Sequence, residues 1–260
     1  PLLDDIDPKA QAIGAVNTVV LKNGRFTGYN TDGQGAVDNI LEKQPGQSEP
    51  LMETLSKKKV LIMGAGGAAL ASAFFFADEL CSGKLILANR TFSAATELAA
   101  KVRKYQPSLM IEVVAEEDVE KVVPHVNLIF NATTKGQGGL LQVEKGKVFL
   151  EPYSSLAPAY PLCISSVGSN EMLKQEIVRM SIADIHANHG KSLALCAKIP
   201  TPVVFVDAIH TPSESVFLHH GRMTGHRTLN GKGMNVSQAL DSFFNKIMKP
   251  VLLGNVKYLD

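Results

Sequence analysis

The stretch from Lys59 to Ala71 constrains the fold more than any other part of this sequence. Val60 to Met63 is a short apolar run, typical of a parallel strand that is covered on both faces. The pattern Gly64-Ala65-Gly66-Gly67-Ala68-Ala69 follows, and its glycines permit a sharp turn and a close backbone approach to a pyrophosphate. We therefore expect a nucleotide site at the N-terminus of the next helix. A plain tight turn is the alternative.

The end of the second apolar run favours one kind of cofactor. Leu85 to Ala88 is followed by Asn89, Arg90 and Thr91. An NAD site usually carries an acidic residue here, which holds the ribose 2′-hydroxyl. A guanidinium instead suits a 2′-phosphate, because it forms charge-assisted hydrogen bonds. The sequence thus predicts NADP rather than NAD.

Alternation of strand and helix patterns predicts the fold class. Strands are expected at 60–63, 84–88, 110–114, 126–130 and 203–206, with helices at 67–80, 93–104, 170–180 and 234–247. Such alternation is typical of an α/β protein with a doubly wound parallel sheet. Small polar residues after the fourth run, among them Thr133, lie where open sheets bind ligands.

Charge, hydropathy and cysteine usage exclude several classes of protein. The net charge of +1 gives no reason to expect nucleic acid or a membrane surface as a partner. The longest apolar stretches are too short to span a bilayer. Three cysteines without metal-like spacing fit a reducing compartment. His186 and His189 share a helix face, but no further ligands accompany them, so we expect no metal site.

A hairpin near the start of the sequence carries a second group of polar residues. Val16 to Leu21 and Arg25 to Tyr29 are predicted strands around an Asn-Gly turn. Asn17, Asn30 and Asp32 lie on the hairpin and at its exit. From spacing alone, turn chemistry and a polar binding site are equally good accounts.

Several of these stretches occur in one order, and in that order the chain resembles the shikimate dehydrogenase family. The matching segments are Gly14–Thr18, Gly28–Gly33, Met63–Ala68, Asn89–Thr91, Phe130–Thr133, Val206–Ile209 with Pro212, and Gly231–Met234 leading to Gln238. Most of residues 1–134 and 203–247 is covered. The form of the segment at 207–212 is similar to versions fused to 3-dehydroquinate dehydratase, as in plants.

The resemblance implies an NADP-dependent oxidoreductase that interconverts shikimate and 3-dehydroshikimate in aromatic amino acid biosynthesis. The catalytic Asp of the family falls on Asp32, and Asn17 and Gln238 fall on substrate-binding positions. His210 falls where a Tyr near the substrate is usual. The cofactor positions are Gly64, Ala65, Gly66, Gly67, Ala68, Asn89, Arg90, Thr91 and Thr133, with Gly231 and Met234 beside the nicotinamide.

Three departures from the family pattern qualify this picture. The family's catalytic Lys belongs to an Asn-Val-Thr-x-Pro-x-Lys motif that does not occur here, so we expect a piece of a longer enzyme that binds NADP better than it oxidises shikimate. Ala94 stands where a second basic residue often grips the 2′-phosphate. Residues 140–202 exceed the usual connection and are expected to form an insertion or a surface loop.

These observations lead to a domain division and a set of alternatives. Residues 1–36 are expected to be the end of an α/β substrate domain, 37–233 a Rossmann domain that binds NADP, and 234–260 a helix returning to the substrate domain. An NAD-preferring quinate/shikimate dehydrogenase and a non-catalytic nucleotide-binding module are the alternatives. The predicted compartment is the cytoplasm, or the plastid for a plant protein. The dehydratase or a missing N-terminal segment is the expected fusion or partner.

Overall fold

A small sheet and two helices begin the computed structural model, which describes residues 2–165 and 168–252. The elements are β1 (Asp5–Ile6), α1 (Pro8–Ile13), β2 (Thr18–Lys22), β3 (Arg25–Tyr29) and α2 (Asp32–Leu41). β2 and β3 form the predicted hairpin, with Asn23 and Gly24 both at positive φ in its turn. β1 pairs with β3 in parallel, which gives the order β1-β3-β2.

The central sheet is built from strands and helices that alternate along the chain. The first half comprises β4 (Lys59–Met63), α3 (Gly67–Leu80), β5 (Lys84–Asn89), α4 (Phe92–Tyr105) and β6 (Met110–Ala115). A helical stretch with α5 (Val119–Val122) follows, then β7 (Leu128–Asn131), the hairpin of β8 (Leu140–Val143) and β9 (Gly146–Phe149), and α6 (Asn170–Cys196). The chain continues with β10 (Val204–Asp207), α7 (Val216–Met223) and β11 (Thr228–Leu229).

The strand order of this sheet confirms the predicted fold class. All six strands are parallel, in the order β6-β5-β4-β7-β10-β11. This is the doubly wound Rossmann order, in which the order of strands along the sheet reverses between β4 and β7. Ligands of such sheets bind outside the carboxyl ends of the strands at this switch point.

Apolar side chains cover both faces of the sheet. One core cluster joins β4, β5 and β7 to α3 and α4, and it includes Ile13 of α1 and Val37 and Ile40 of α2. The other cluster packs Phe205 of β10 against α7 and the end of α6. The first two helices therefore share a core with the central sheet. The predicted boundary after residue 36 falls within α2, and the division into domains stays a prediction.

Two helices differ from the sequence expectation. The helix predicted at 170–180 was too short, because α6 continues to Cys196. The last helix begins as α8 (Lys232–Leu240), widens into a π-helical run over Asp241–Met248, and ends as α9 (Lys249–Leu252). No helix of the described residues has the length and hydropathy that crossing a bilayer requires.

Candidate functional site

The glycine turn after β4 has the geometry that phosphate binding requires. Gly64 has φ of 114°, and a methyl group there would lie 2.7 Å from the carbonyl oxygen of Ala132, so only glycine fits. A methyl group on Gly66 or Gly67 would meet nothing within 4 Å. Ala69 is fully buried, as close packing of the helix on the sheet demands. The turn is therefore closely packed at Gly64 and open at Gly66 and Gly67.

The start of α3 leaves its backbone N–H donors available on the open side of the glycine turn. Gly66 is the N-cap residue, and no side chain caps the helix. The first turn of a helix carries N–H groups without intrahelical partners and the positive end of the helix dipole. Ala65 and Ala68, half-buried, flank the two exposed glycines. The predicted cofactor residues of this turn thus lie together around a helix N-terminus, a position that favours anions.

Arg90 lies just beyond the buried part of β5. Leu85 to Ala88 are buried, Asn89 is half-buried, and Arg90 and Thr91 are exposed. The Asn89 side chain donates a 3.0 Å hydrogen bond to the carbonyl oxygen of Thr91 and shapes this turn. Among the described residues, no carboxylate pairs with the Arg90 guanidinium. The guanidinium can therefore bind an external anion.

The turn after β7 is held by the side chain of Asn131. Its Oδ1 accepts hydrogen bonds from the backbone N–H of Thr133 at 3.0 Å and from the Thr133 hydroxyl at 2.8 Å. The Ala132 backbone N–H donates to Met63 at 2.8 Å. Thr133 is consequently fixed next to the glycine turn, on the same edge of the sheet.

Asn17 and Asp32 form the centre of the second polar group. The Asn17 side-chain amide donates a 2.7 Å hydrogen bond to Asp32 Oδ1. The Oδ1 atom of Asn17 accepts a 3.0 Å hydrogen bond from the Thr31 backbone N–H. The Asp32 backbone N–H donates to the Asn30 side chain at 3.2 Å. Asn17 is exposed and Asp32 is half-buried at the start of α2. A hydrogen-bond network therefore joins the hairpin to that helix, beyond ordinary turn chemistry.

Two glycines bring α2 against the helices on either side. A methyl group on Gly33 would lie 2.6 Å from the carbonyl oxygen of Ala71 in α3. One on Gly35 would lie 2.5 Å from the Met234 carbonyl and 2.9 Å from Gln238 Cβ in α8. The start of α2 thus lies between the helix of the glycine turn and the helix that carries Gln238.

The remaining predicted residues lie at or near the same edge of the sheet. Gly231 donates from its backbone N–H to Ile209 at 2.9 Å and would clash with Ala208 if it carried a methyl group. Met234 is only 5% exposed and packs in the core, while Gln238 is half-buried and His210 is exposed. Among the described residues, no hydrogen bond connects His210 or Gln238 with the Asn17–Asp32 pair.

Sequence reasoning missed the role of Asp207, which it singled out only as part of a motif. This residue ends β10 beside Asn131 of β7, and it is 1% exposed. Burial raises the pKa of its carboxyl group to about 6, against the hydrogen bonds from Ser215, Ile209 and Asn131, which lower it. A buried, hydrogen-bonded carboxylate at a strand end is not distinguishable in the sequence from an exposed one.

A cavity of about 560 Å³ lies between α6 and α7 and is lined partly by histidines. His189 is half-buried and its ring lies 5.3 Å from that of His220, centroid to centroid. Burial, with smaller contributions from His189 and His219, lowers the pKa of His220 to about 4. His186 is exposed, and the described residues contain no cluster of three or more side chains able to hold a metal.

Comparison with known proteins identifies relatives of this chain. The family model described as shikimate / quinate 5-dehydrogenase matches residues 47–148. A shikimate dehydrogenase (NADP(+)) from Bacillus cereus strain 03BB102 is 43% identical over 134 residues, which are 52% of this chain and 44% of that protein. The protein of the same name from Methanococcus maripaludis strain S2 is 30% identical over 245 residues, or 93% of this chain and 65% of that protein.

Solved structures lead to the same group of proteins. A shikimate dehydrogenase crystallised in complex with NADP+ superposes with a TM-score of 0.61 at 26% identity, covering 98% of this chain and 72% of that one. Against the curated relatives, the chain spans less than two thirds of their length.

Proposed function

Because this chain is a relative of the shikimate dehydrogenases, we propose that it is part of an NADP-dependent oxidoreductase that interconverts shikimate and 3-dehydroshikimate. One observation carries the proposal. The start of α2, with Asp32 hydrogen-bonded to Asn17, lies between the helix of the open glycine turn and the helix that carries Gln238. The polar residues that we assign to the substrate therefore lie next to the proposed nucleotide site.

The described residues fit NADP. Gly66 and Gly67 leave space for a pyrophosphate beneath the uncapped start of α3. The exposed guanidinium of Arg90, with Asn89 and Thr91 around it, is suited to a 2′-phosphate. Thr133, Gly231 and Met234 are the residues we assign to the nicotinamide end. When bound, NADP supplies the hydride acceptor for alcohol oxidation.

The polar group has the chemistry that a secondary alcohol requires. Asp32 Oδ1 is occupied by the Asn17 amide, while Asp32 Oδ2 takes part in no hydrogen bond within the described residues. This oxygen is placed to hold the substrate hydroxyl and to receive or pass on its proton. Asn17, Gln238 and His210 are assigned to the other substrate hydroxyls, which they orient by hydrogen bonds.

The wider organisation belongs to the same proposal. We assign residues 1–36 and 234–260 to the substrate side and 37–233 to the cofactor side. The motif at 207–212 supports association with a 3-dehydroquinate dehydratase, and three free cysteines support a reducing compartment such as the cytoplasm, or the plastid in a plant. Co-purification of dehydratase activity and subcellular fractionation test these two points.

Ligand titration tests the function directly. We expect NADPH to bind more tightly than NADH, and shikimate to bind more tightly than quinate to the NADP-loaded protein. Formation of NADPH from NADP+ and shikimate measures the reaction itself. Equal affinity for the two dinucleotides contradicts the role of Arg90, and absence of any dinucleotide binding contradicts the proposal as a whole. Tighter binding of quinate with NADH supports the quinate alternative.

A further inference from the structure

The carboxylate of Asp207 is the junction of hydrogen bonds from three parts of the chain. Its Oδ1 accepts from the Asn131 side-chain amide at 3.0 Å and from the Ile209 backbone N–H at 2.9 Å. Its Oδ2 accepts from the Ser215 hydroxyl at 2.5 Å. No cation within the described residues forms an ion pair with it.

One arm of this junction controls the turn that carries Thr133. The bond from Asn131 Nδ2 to Asp207 fixes which end of the Asn131 amide faces the carboxylate. Asn131 Oδ1 must then face the opposite way, where it accepts the two hydrogen bonds from Thr133. The Lys135 carbonyl oxygen accepts a longer hydrogen bond from the same Nδ2, at 3.3 Å, so Asp207 is the closer of the two acceptors that hold this orientation.

The other arm reaches the turn that begins α8. Ile209 donates its backbone N–H to Asp207 and accepts the backbone N–H of Gly231 through its carbonyl oxygen, at 2.9 Å. A continuous path of hydrogen bonds therefore runs from Thr133 through Asn131, Asp207 and Ile209 to Gly231. Both ends of this path are residues that we assign to the nicotinamide end of the cofactor.

We propose that Asp207 is a positioning residue that sets the spacing between the Thr133 turn and the Gly231 turn, and so shapes the nicotinamide end of the site. This inference rests on the proposed function. Asp207 itself is too deeply buried to touch a ligand. Three donors converge on it, and a carboxylate offers two oxygens that accept hydrogen bonds, whereas an amide of the same size offers one.

Ser215 provides the alternative role that the experiment must separate. It is the N-cap residue of α7, and its hydroxyl accepts from the Leu218 backbone at 3.4 Å while donating to Asp207. Asp207 would then serve only to support the start of α7. The two roles make different predictions, because the Ser215 bond uses Oδ2 and the path between the turns uses Oδ1.

Four variants distinguish these roles. Asp207→Ala removes the whole junction, Asp207→Asn keeps an oxygen for Asn131 and Ile209, and Ser215→Ala removes only the bond to Oδ2. The control, Asn188→Ala, removes an equally buried side chain of α6 that bonds Ser154, Ala157 and Pro158. The measurements are NADPH affinity by fluorescence titration and amide hydrogen exchange, over the three segments 132–136, 208–212 and 230–232 and also over the start of α7 at 215–219.

We expect Asp207→Ala to weaken NADPH binding by about tenfold or more, the effect of leaving buried partners unpaired. It should speed exchange in all three segments. Asp207→Asn should restore NADPH affinity to within about threefold of the wild type, since the path through Oδ1 survives. Ser215→Ala should speed exchange only at the start of α7. Asn188→Ala should lower stability without changing NADPH affinity.

The inference is overturned if Asp207→Ala has the amide exchange rates and the NADPH affinity of the wild type. It is also overturned if the changes in exchange are confined to α7. If that variant does not fold, Asn131→Ala replaces it, and the inference then requires faster exchange over 208–212 and 230–232, beyond the bonds that Asn131 itself makes. If the wild type binds no NADPH, the proposed function fails, while the exchange data still decide whether Asp207 couples the two turns.

Discussion

The side-chain amide of Asn17 donates a 2.7 Å hydrogen bond to Oδ1 of Asp32, which joins the β2–β3 hairpin to the first turn of α2. The opposite face of Asn17 accepts from Thr31. The orientation of the Asn17 amide is therefore fixed, and Asp32 Oδ2 remains without a hydrogen bond among the described residues. The hairpin and the helix together position a single carboxylate oxygen.

Replacing this carboxylate should impair catalysis without loosening the cofactor. We expect Asp32→Asn to lower kcat for shikimate oxidation by roughly 10²- to 10⁴-fold, the usual contribution of a positioned proton-transfer group. The KM for NADP+ should not change. Steady-state kinetics measure both constants.

Asp38→Asn serves as the control, since Asp38 lies further along α2 and bonds Gln34. Its kcat should equal that of the wild type. A wild-type kcat in Asp32→Asn removes Asp32 from the mechanism.

Arg90 should determine the preference between the two dinucleotides. Loss of a charged group that binds a phosphate costs about 1.5–3 kcal/mol, or roughly ten- to a hundredfold in affinity. We therefore expect Arg90→Gln to weaken NADPH binding by this factor and to leave NADH binding unchanged. Isothermal titration of both dinucleotides gives the comparison.

Arg103→Gln is a matched control, because Arg103 is an exposed arginine at the end of α4 that bonds the Ile111 carbonyl. Its ratio of NADPH to NADH affinity should match the wild type. The same loss in both variants would indicate a general charge effect.

Gly35 should tolerate no side chain, whereas Gly190 should. Both lie within helices, α2 and α6. A methyl group at Gly35 would lie 2.5 Å from a backbone carbonyl, and one at Gly190 would meet nothing within 4 Å. We expect Gly35→Ala to lower the free energy of unfolding by about 1–3 kcal/mol, and Gly190→Ala to raise it by roughly 0.5–1 kcal/mol. Urea unfolding monitored by circular dichroism measures both, and equal effects contradict the close approach of α2 and α8.

Acid should destabilise the protein partly through His220. Its pKa is lowered to about 4 in the folded protein, chiefly by burial, from 6.5. Between these values the unfolded chain binds more protons, so the free energy of unfolding falls as the pH falls from 6.5 towards 4. A shift of this size corresponds to at most about 3 kcal/mol. We expect His220→Gln, which can still bond Ser192, to reduce this loss in unfolding experiments at neutral and acidic pH.

Asp207 contributes a slope of the opposite sign. Its raised pKa, about 6, favours the folded state most strongly at low pH. That slope is common to the wild type and His220→Gln, so the difference between the two isolates the histidine. His186→Gln, at an exposed position of α6, should match the wild type. Parallel curves for all three proteins would show that His220 does not titrate in this range.

The three thiols should react at different rates. Cys81 and Cys163 are exposed, whereas Cys196 is buried and its pKa is raised by burial to about 12. A thiol reacts as its thiolate, so only two cysteines should react quickly with a disulfide reagent in the folded protein. Unfolding in guanidinium should expose the third. Fast reaction of three thiols in the native state contradicts the packing around Cys196.

The part of the central sheet from β4 to α4 was predictable because its sequence signals are local. Strands β4 and β5 and helices α3 and α4 agree with their predicted bounds to within one residue at each end. Short apolar runs, a glycine turn and amphipathic helices define these elements without reference to the rest of the chain. The same holds for the hairpin turn at Asn23-Gly24.

Helix α6 was underestimated because polar residues occupy its buried face. Ser181, Asn188 and Ser192 are buried, and the last two are satisfied by Ser154 and His220. A search for apolar periodicity ends where such residues begin. Their partners lie about 30 positions away in the sequence, so only the tertiary structure makes the helix face recognisable.

The candidate site divides in the same way. The glycine turn after β4 and the place of Arg90 at the end of β5 were predictable from residue type and position alone. The spacing of Asn17 and Asp32 fits turn chemistry and a polar binding site equally well, because spacing does not show which way an amide points. The junction at Asp207 depends on burial, which is a property of the assembled sheet.

Strand β5 passes from complete burial to open solvent over two residues, Ala88 to Arg90. The part of β5 that specifies folding therefore ends almost where the part that we propose for dinucleotide selection begins. For protein engineering, residues 89–93 are a segment that can be substituted without changing the buried strand before it. If Arg90 binds the 2′-phosphate as proposed, substitutions there change the preference between NADPH and NADH, while the buried part of β5 keeps its packing.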